Sequence, residues 1–218
     1  MPTRDQLNIK NNGNGMFIAA ITFTATLGGL LFGYDTAVIS GTVKSLEKFF
    51  IAELLNQSTY AGVVASQYKV VVSLSWLAIA TILASMVFRM YPRKKANRIA
   101  GIFLAVSLVL ITVYFLQKPV IDQSLVNSIK GFTVSSALIG CIIGGSISGW
   151  ISMKLGRKKG LIMAAILFAI SALGSSIPDK LTVFGTQDII SFILYRIIGG
   201  IGVGIASMLA PMYIAEIA

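Results

Sequence analysis

Two charged residues stand inside long apolar stretches, where their side chains could do chemistry. Asp35 lies within the first apolar run of the chain and Arg196 within the last. A charge in the middle of a membrane helix costs about 2.5–3.5 kcal/mol on insertion scales, so each residue requires a partner or a water-filled cavity. Two interpretations follow: a structural ion pair that joins two helices, or a carboxylate that takes up and releases a proton while the permanently charged Arg196 sets its pKa.

The positions of the two residues along their helices favour a contact between their side chains. Asp35 lies about 9 Å below the outer end of its run, at 1.5 Å of helix rise per residue. Arg196 lies about 10 Å below the outer end of its own run on the same scale. The acid and the base are therefore predicted at similar depth.

The composition indicates the environment of these charges. The chain has 218 residues, of which 56% are hydrophobic and 12% charged. Soluble domains carry about 25% charged residues, and disordered chains are polar, so both classes are excluded. An integral membrane protein of all-α class is predicted, because the runs show no strand-like alternation.

Six apolar runs are long enough, or nearly long enough, to cross a bilayer as helices. We predict six transmembrane helices at approximately 16–41, 70–88, 99–116, 132–153, 161–177 and 189–210. Four pairs of glycines spaced by four residues would allow helices to approach closely. They are Gly29 and Gly33, Gly140 and Gly144, Gly145 and Gly149, and Gly200 and Gly204.

The basic residues predict how the helices are oriented. The net charge is +10, with 18 Lys and Arg against 8 Asp and Glu. Eleven of the basic residues precede the first run or lie in the second–third and fourth–fifth connections, whereas six lie on the opposite side. Because basic loops stay in the cytoplasm, we expect a cytoplasmic N-terminus in the cell (inner) membrane. The positive charge thus reports sidedness, and no soluble face is expected to bind nucleic acid.

Enzyme chemistry finds little support in the chain. There is no His and only one Cys, which excludes a His-based zinc site, a His general base and an internal disulfide. No nucleophile–base pair or set of metal ligands is evident. We therefore expect no metal and no enzyme activity.

Several segments resemble the sugar porters of the major facilitator superfamily. The segment 28–41, GGLLFGYDTAVISG, is similar to the first family helix, and GRKK at 156–159 resembles the loop between family helices two and three. RIIGGIGVG at 196–204 and PMYIAEIA at 211–218 resemble the fourth helix and its inner end. The resemblance implies a partial N-terminal helix bundle of a twelve-helix transporter that works by alternating access.

The resemblance also implies roles for individual residues. Asp35 and Arg196 match the proton-coupling acid and its partner, which favours the switching interpretation of the pair. Phe32 matches an aromatic residue that lines the sugar site, although its chemistry suits helix packing equally well. Arg157, Lys158 and Glu216 match the charge network that closes the cytoplasmic side. The ligands implied are a sugar, with a pentose such as D-xylose expected, and protons as the coupling ion, with no other cofactor.

Two departures from the family pattern are expected to matter. A two-helix segment is inserted, which divides the chain into residues 1–55 (tail, first family helix and external loop), 56–128 (the inserted pair) and 129–218 (family helices two to four). The chain also ends where the family motif normally continues, so a fragment of a proton-coupled symporter is expected. The alternatives are a facilitative or hexose-selective porter, or a truncated membrane protein with a non-transport interaction role.

Overall fold

The protein is described from a computed structural model, which covers residues 15–48, 58–90, 93–117, 123–177, 180 and 189–217. Six helices make up nearly all of these ranges. They are α1 (Gly15–Leu46), α2 (Ser58–Met90), α3 (Arg93–Leu116), α4 (Gln123–Leu155), α5 (Arg157–Ser176) and α6 (Ile189–Ile217). The α2–α3 and α4–α5 connections lie at one end of the bundle, which we call the basic end.

Each helix contains most or all of one of the six predicted apolar runs, because a backbone in lipid must satisfy its hydrogen bonds within its own segment. Five stretches are long and apolar enough to cross a membrane: Ala61–Phe88, Asn97–Leu116, Gln123–Leu155, Arg157–Ser176 and Ile189–Glu216. The remaining predicted span, at 16–41, corresponds to α1, which has 32 residues. The chain is thus an all-α, multi-pass membrane protein.

Two helices begin well before the apolar runs that predict them. Helix α2 begins at Ser58 and not near residue 70, and α4 begins at Gln123 and not near residue 132. About 20 residues suffice to cross the hydrocarbon, so these helices of 33 residues continue beyond it. Lys69, expected at a helix end, therefore lies within α2, where its ammonium stands 5.4 Å from the centre of the Tyr114 ring.

Helix α6 is the centre of the bundle. In an apolar 18-residue stretch of α6, 67% is buried within the protein, whereas in the corresponding stretch of α3 only 6% is buried. Helices α4, α5 and α1 all pack against α6. Near the basic end, the core contains Ile151 of α4, Ala164 of α5, and Ile205 and Leu209 of α6. Apolar faces from separate helices thus converge on α6.

Glycines allow α4 and α6 to meet backbone to backbone. A methyl group on Gly144 would lie 2.9 Å from the Cα atom of Ile201, and one on Gly200 would lie 2.9 Å from the carbonyl carbon of Ala137. Gly140 and Gly204 face the opposite backbone in the same way. Two of the four predicted glycine pairs therefore form one shared interface. At Gly29, Gly33 and Gly149, an added methyl group would meet nothing within 4 Å, so the other two pairs form no comparable contact among the residues described.

Helices α2 and α3 form a peripheral pair that is joined to the bundle through α2. At the end opposite the basic end, Val64, Tyr68 and Val71 of α2 share a buried cluster with residues of α4 and α6. The Tyr68 ring meets Phe132 edge-on, with 5.5 Å between ring centres. The Tyr68 hydroxyl donates a hydrogen bond of 3.3 Å to the Ser128 carbonyl oxygen. The assignment of residues 56–128 as an insertion stays a prediction.

Candidate functional site

The two charges singled out in the sequence meet between α1 and α6. The Nη1 atom of Arg196 donates a hydrogen bond of 2.9 Å to Oδ1 of Asp35. The Arg196 side chain is 8% exposed and that of Asp35 is 30% exposed. A charge-assisted hydrogen bond of this length is about twice as strong as a neutral one. The structure thus joins a base held inside the bundle to an acid that keeps access to its surroundings.

The guanidinium of Arg196 keeps one donor unused. Its Nε atom is buried and has no hydrogen-bond partner within the described ranges. A buried donor left without a partner costs about 1–3 kcal/mol, more when it is charged. The carboxylate of Asp35 therefore satisfies the cation only in part, which leaves Nε available to a further acceptor.

Helix α5 fixes the backbone next to Arg196. The hydroxyl of Ser171 donates a hydrogen bond of 2.6 Å to the carbonyl oxygen of Tyr195. Gly199, one turn further along α6, has no side chain and so makes space for Ser171. A methyl group on Gly199 would lie 2.9 Å from the Ser171 Cβ atom. Sequence analysis did not identify this contact. The only available signal was a hydroxyl within the apolar run of α5.

A crevice lies between α1 and α6, nearer to the basic end than the ion pair. It has a volume of about 430 Å³ and is lined by Thr26, Gly29 and Leu30 of α1 and by Ala206, Ser207, Ala210, Pro211 and Ile214 of α6. Leu30 precedes Asp35 by five residues, or about 8 Å along the helix. Phe32, the predicted sugar contact, lies in α1 one turn before Asp35, but its side chain is outside the described part of the protein.

A second ion pair lies at the basic end. The Nη2 atom of Arg157 is 2.6 Å from Oε1 of Glu216, and both side chains are partly exposed. Gly156 alone joins α4 to α5, with a φ of +80°, a left-handed conformation that favours glycine. This turn places Arg157 at the start of α5, opposite the end of α6. Lys158 is exposed and forms no ion pair with an acid of the described segments.

A third ion pair, between Lys130 and Glu47, was missed by sequence analysis. It joins the start of α4 to the end of α1 at the end of the bundle opposite the basic end. The sequence places both residues on the outer side of the membrane without pairing them. The available signal was their opposite sign, but side alone does not specify which two charges meet.

Three features of the structure are together typical of a secondary transporter and not of an enzyme. They are the apolar spans, the acid and base paired between two helices, and the ion pair at one end of the bundle. Comparison with known proteins agrees. The profile of the family described as "Sugar (and other) transporter" matches residues 21–120 and 112–218, and the chain belongs to this family. The expected resemblance to major facilitator sugar porters is confirmed.

Individual relatives make the similarity specific. The chain is 38% identical over 215 residues to the D-xylose-proton symporter of Escherichia coli K12, covering 94% of this chain and 30% of that protein. It is 29% identical over 216 residues to the glucose transport protein of a Synechocystis strain, covering 99% of this chain and 28% of that protein. The chain thus spans about 30% of the length of these relatives.

A solved structure shows the same fold. It is described as the major facilitator superfamily proton:xylose symporter XylE bound to 6-bromo-6-deoxy-D-glucose. The sequence identity is 37% and the TM-score 0.57, covering 94% of this chain and 32% of that chain.

Proposed function

We propose that this chain serves a proton-coupled sugar symporter that carries a pentose by alternating access. The observation that supports this function is the Asp35–Arg196 pair between α1 and α6. A second support is the similarity to a D-xylose-proton symporter across nearly the whole chain.

Asp35 is the group that would carry the coupled proton. When ionised, its carboxylate is held by the Arg196 guanidinium, and this pair ties α1 to α6. Protonation removes the negative charge and weakens the pair, so the two helices become free to move relative to each other. Arg196 keeps its charge throughout, because a guanidinium does not release its proton in proteins.

The remaining predicted residues take supporting roles in this proposal. Phe32, one turn from Asp35, would offer an aromatic face to the apolar C–H surface of the sugar. The Arg157–Glu216 pair would hold α5 to α6 and close the cytoplasmic side, with Lys158 beside it. This arrangement takes the basic end to be cytoplasmic in the cell (inner) membrane, with the N-terminus on the same side.

The test is uptake of labelled D-xylose by the full-length protein in proteoliposomes with an imposed proton gradient. Asp35→Asn is expected to abolish gradient-driven accumulation while leaving exchange of xylose across the membrane. Glu47→Gln is the matched control, because it removes another acid of the same chain segment that is paired only near the surface. Uptake of xylose that is independent of the proton gradient and survives Asp35→Asn would contradict proton coupling.

A hexose cargo is the second candidate, supported by the similarity to a glucose transport protein. Competition distinguishes the two cargoes. Unlabelled D-xylose is expected to displace labelled D-xylose at lower concentration than D-glucose does. The opposite order would assign a hexose to the same site.

A further inference from the structure

Helices α2 and α3 enclose a groove that plays no part in the proposed transport site. Its volume is about 490 Å³, within the range of roughly 300–1,000 Å³ that is usual for small-molecule sites. The walls are almost entirely apolar, with Trp76, Ala80 and Leu83 on α2 facing Ile102, Val106 and Leu110 on α3.

The length of the groove matches one leaflet of a bilayer. Its lining on α3 extends from Ile102 to Tyr114, which corresponds to about 18 Å of helix. Half of the hydrocarbon thickness of a bilayer is about 15 Å. The groove begins three residues beyond Ile99, where the apolar run of α3 starts on the side of the basic end. An acyl chain entering from that side would therefore lie along the groove for most of its length.

Positive charge is concentrated at the mouth of this groove. Residues 89–101, around the α2–α3 connection, include five basic residues and no acid: Arg89, Arg93, Lys94, Lys95 and Arg98. The side chains of Lys95 and Arg98 are described, and both are exposed. Neither forms an ion pair with an acid in the described ranges. Arg98 precedes Ile102 by four residues, or about 6 Å along the helix.

We propose that the α2–α3 groove binds an anionic phospholipid, with an acyl chain in the groove and the phosphate beside Lys95 and Arg98. Clusters of basic residues next to a membrane helix attract anionic headgroups. A second copy of this chain is the less favoured occupant, since it would bring the same positive segment to the contact. This inference rests on α2 and α3 alone and does not depend on the transport proposal.

Native mass spectrometry of the full-length protein, purified with phosphatidylglycerol or with phosphatidylcholine, tests the headgroup preference. The protein is expected to retain phosphatidylglycerol and to lose phosphatidylcholine. The double variant Lys95→Gln/Arg98→Gln should lower phosphatidylglycerol retention roughly thirtyfold. The matched control is Lys154→Gln/Lys159→Gln, which removes the same charge at the α4–α5 connection and should retain the lipid.

A groove-filling variant tests the acyl position independently of charge. Ser107 lines the groove, so Ser107→Phe should lower phosphatidylglycerol retention with the basic residues intact. Equal retention of the two lipids, equal loss in both double variants, or undiminished retention in Ser107→Phe would each overturn the proposal. A dimer that Ser107→Phe converts to monomer would assign the groove to a second copy instead.

Discussion

At the scale of single residues, the Asp35–Arg196 pair is asymmetric. The base is almost fully buried, whereas the acid keeps nearly a third of its surface exposed. The base therefore depends on the protein for its only described acid partner. Removing the acid should leave a buried cation unpaired, which is costly in any medium of low polarity.

Substitutions of the two residues should therefore have non-additive effects on the free energy of unfolding. We expect Asp35→Asn to destabilise the protein by about 3 kcal/mol, the lower end for a broken buried pair because Asp35 is partly exposed. The double variant Asp35→Asn/Arg196→Leu should be less destabilised than the single variant. Thermal unfolding in detergent measures both. Additive losses in the double variant would show that the two side chains do not depend on each other.

The Ser171 hydroxyl should contribute to the position of Arg196. Ser171→Ala removes its hydrogen bond to the Tyr195 carbonyl oxygen, at an expected cost of about 1 kcal/mol. The control is Ser146→Ala, because the hydroxyl of Ser146 bonds only within its own helix, to the Ile142 carbonyl oxygen. A lower unfolding temperature for Ser171→Ala than for Ser146→Ala is expected, and equal temperatures would remove the role given to Ser171.

The Arg157–Glu216 pair should limit access from the basic end. A cysteine placed at Ser207, in the crevice between α1 and α6, reports this access in a Cys141→Ala background. Arg157→Gln is expected to raise the rate of maleimide labelling, because it frees the start of α5 from the end of α6. Lys158→Gln removes a neighbouring charge without an acid partner in the described structure and should change the rate less. Equal rates for the two variants would contradict a gate at this pair.

The sequence predicts a contact between two residues correctly where the lipid environment allows few alternative partners. Asp35 and Arg196 could be matched because a charge inside the apolar run needs a partner of opposite sign. Ser171 could not be identified, since serines in membrane helices commonly bond to their own backbone, as Ser75 does to the Val71 carbonyl oxygen. Lys130 and Glu47 had several alternative partners on their side of the bundle.

At the scale of helices, the α4–α6 interface is formed by backbone atoms. Gly140, Gly144, Gly200 and Gly204 allow the two chains to approach until the carbonyl groups of one helix face the glycines of the other. Close approach of this kind supplies much of the attraction between helices in lipid. The interface should therefore hold α4 and α6 together as one unit.

This interface predicts a contrast between two glycine substitutions. Gly200→Ala forces a methyl group against the Ala137 carbonyl and should cost about 1–3 kcal/mol, as overpacking does. Gly149→Ala, on α4, meets no atom within 4 Å and is the matched control. Thermal unfolding of the two variants should differ by several degrees. Similar unfolding temperatures would show that the helices can separate without cost.

The existence of the helices followed from hydropathy, but their ends did not. An apolar run specifies only the part of a helix inside the hydrocarbon, so the early turns of α2 and α4 were not predicted. The glycine spacing likewise defines a face of one helix and not its partner. Gly29 has the same four-residue glycine spacing as Gly140 and Gly200. A methyl group added at Gly29 would nevertheless meet nothing within 4 Å.

At the scale of the whole molecule, the distribution of basic residues and the alternation of the helices agree. The α2–α3 and α4–α5 connections, with five basic residues at 89–98 and four at 154–159, lie at the same end. The sequence predicted this arrangement because charge counts in loops determine orientation. How tightly each helix packs could not be predicted, since α3 and α6 are both strongly apolar although only α6 is buried.

Cysteine labelling can test the orientation on either side of a single helix. Lys159, in the first turn of α5, and Lys180, beyond the end of α5, are both exposed. In a Cys141→Ala background, Lys180→Cys should react with an impermeant maleimide in intact cells, whereas Lys159→Cys should react only after permeabilisation. The reverse pattern would place the N-terminus outside.

The backbone contact between α4 and α6 also constrains how this sequence can evolve. Where two side chains collide, a smaller residue on the partner helix restores the fit. At Gly144 and Gly200 an added side chain would clash with the main chain of the partner helix, which no substitution can make smaller. A larger side chain at these positions cannot be compensated by a smaller residue on the partner helix. Only reversion, or movement of a whole helix, would remove the clash. We therefore expect substitutions at these two glycines to be tolerated less well than at Gly149.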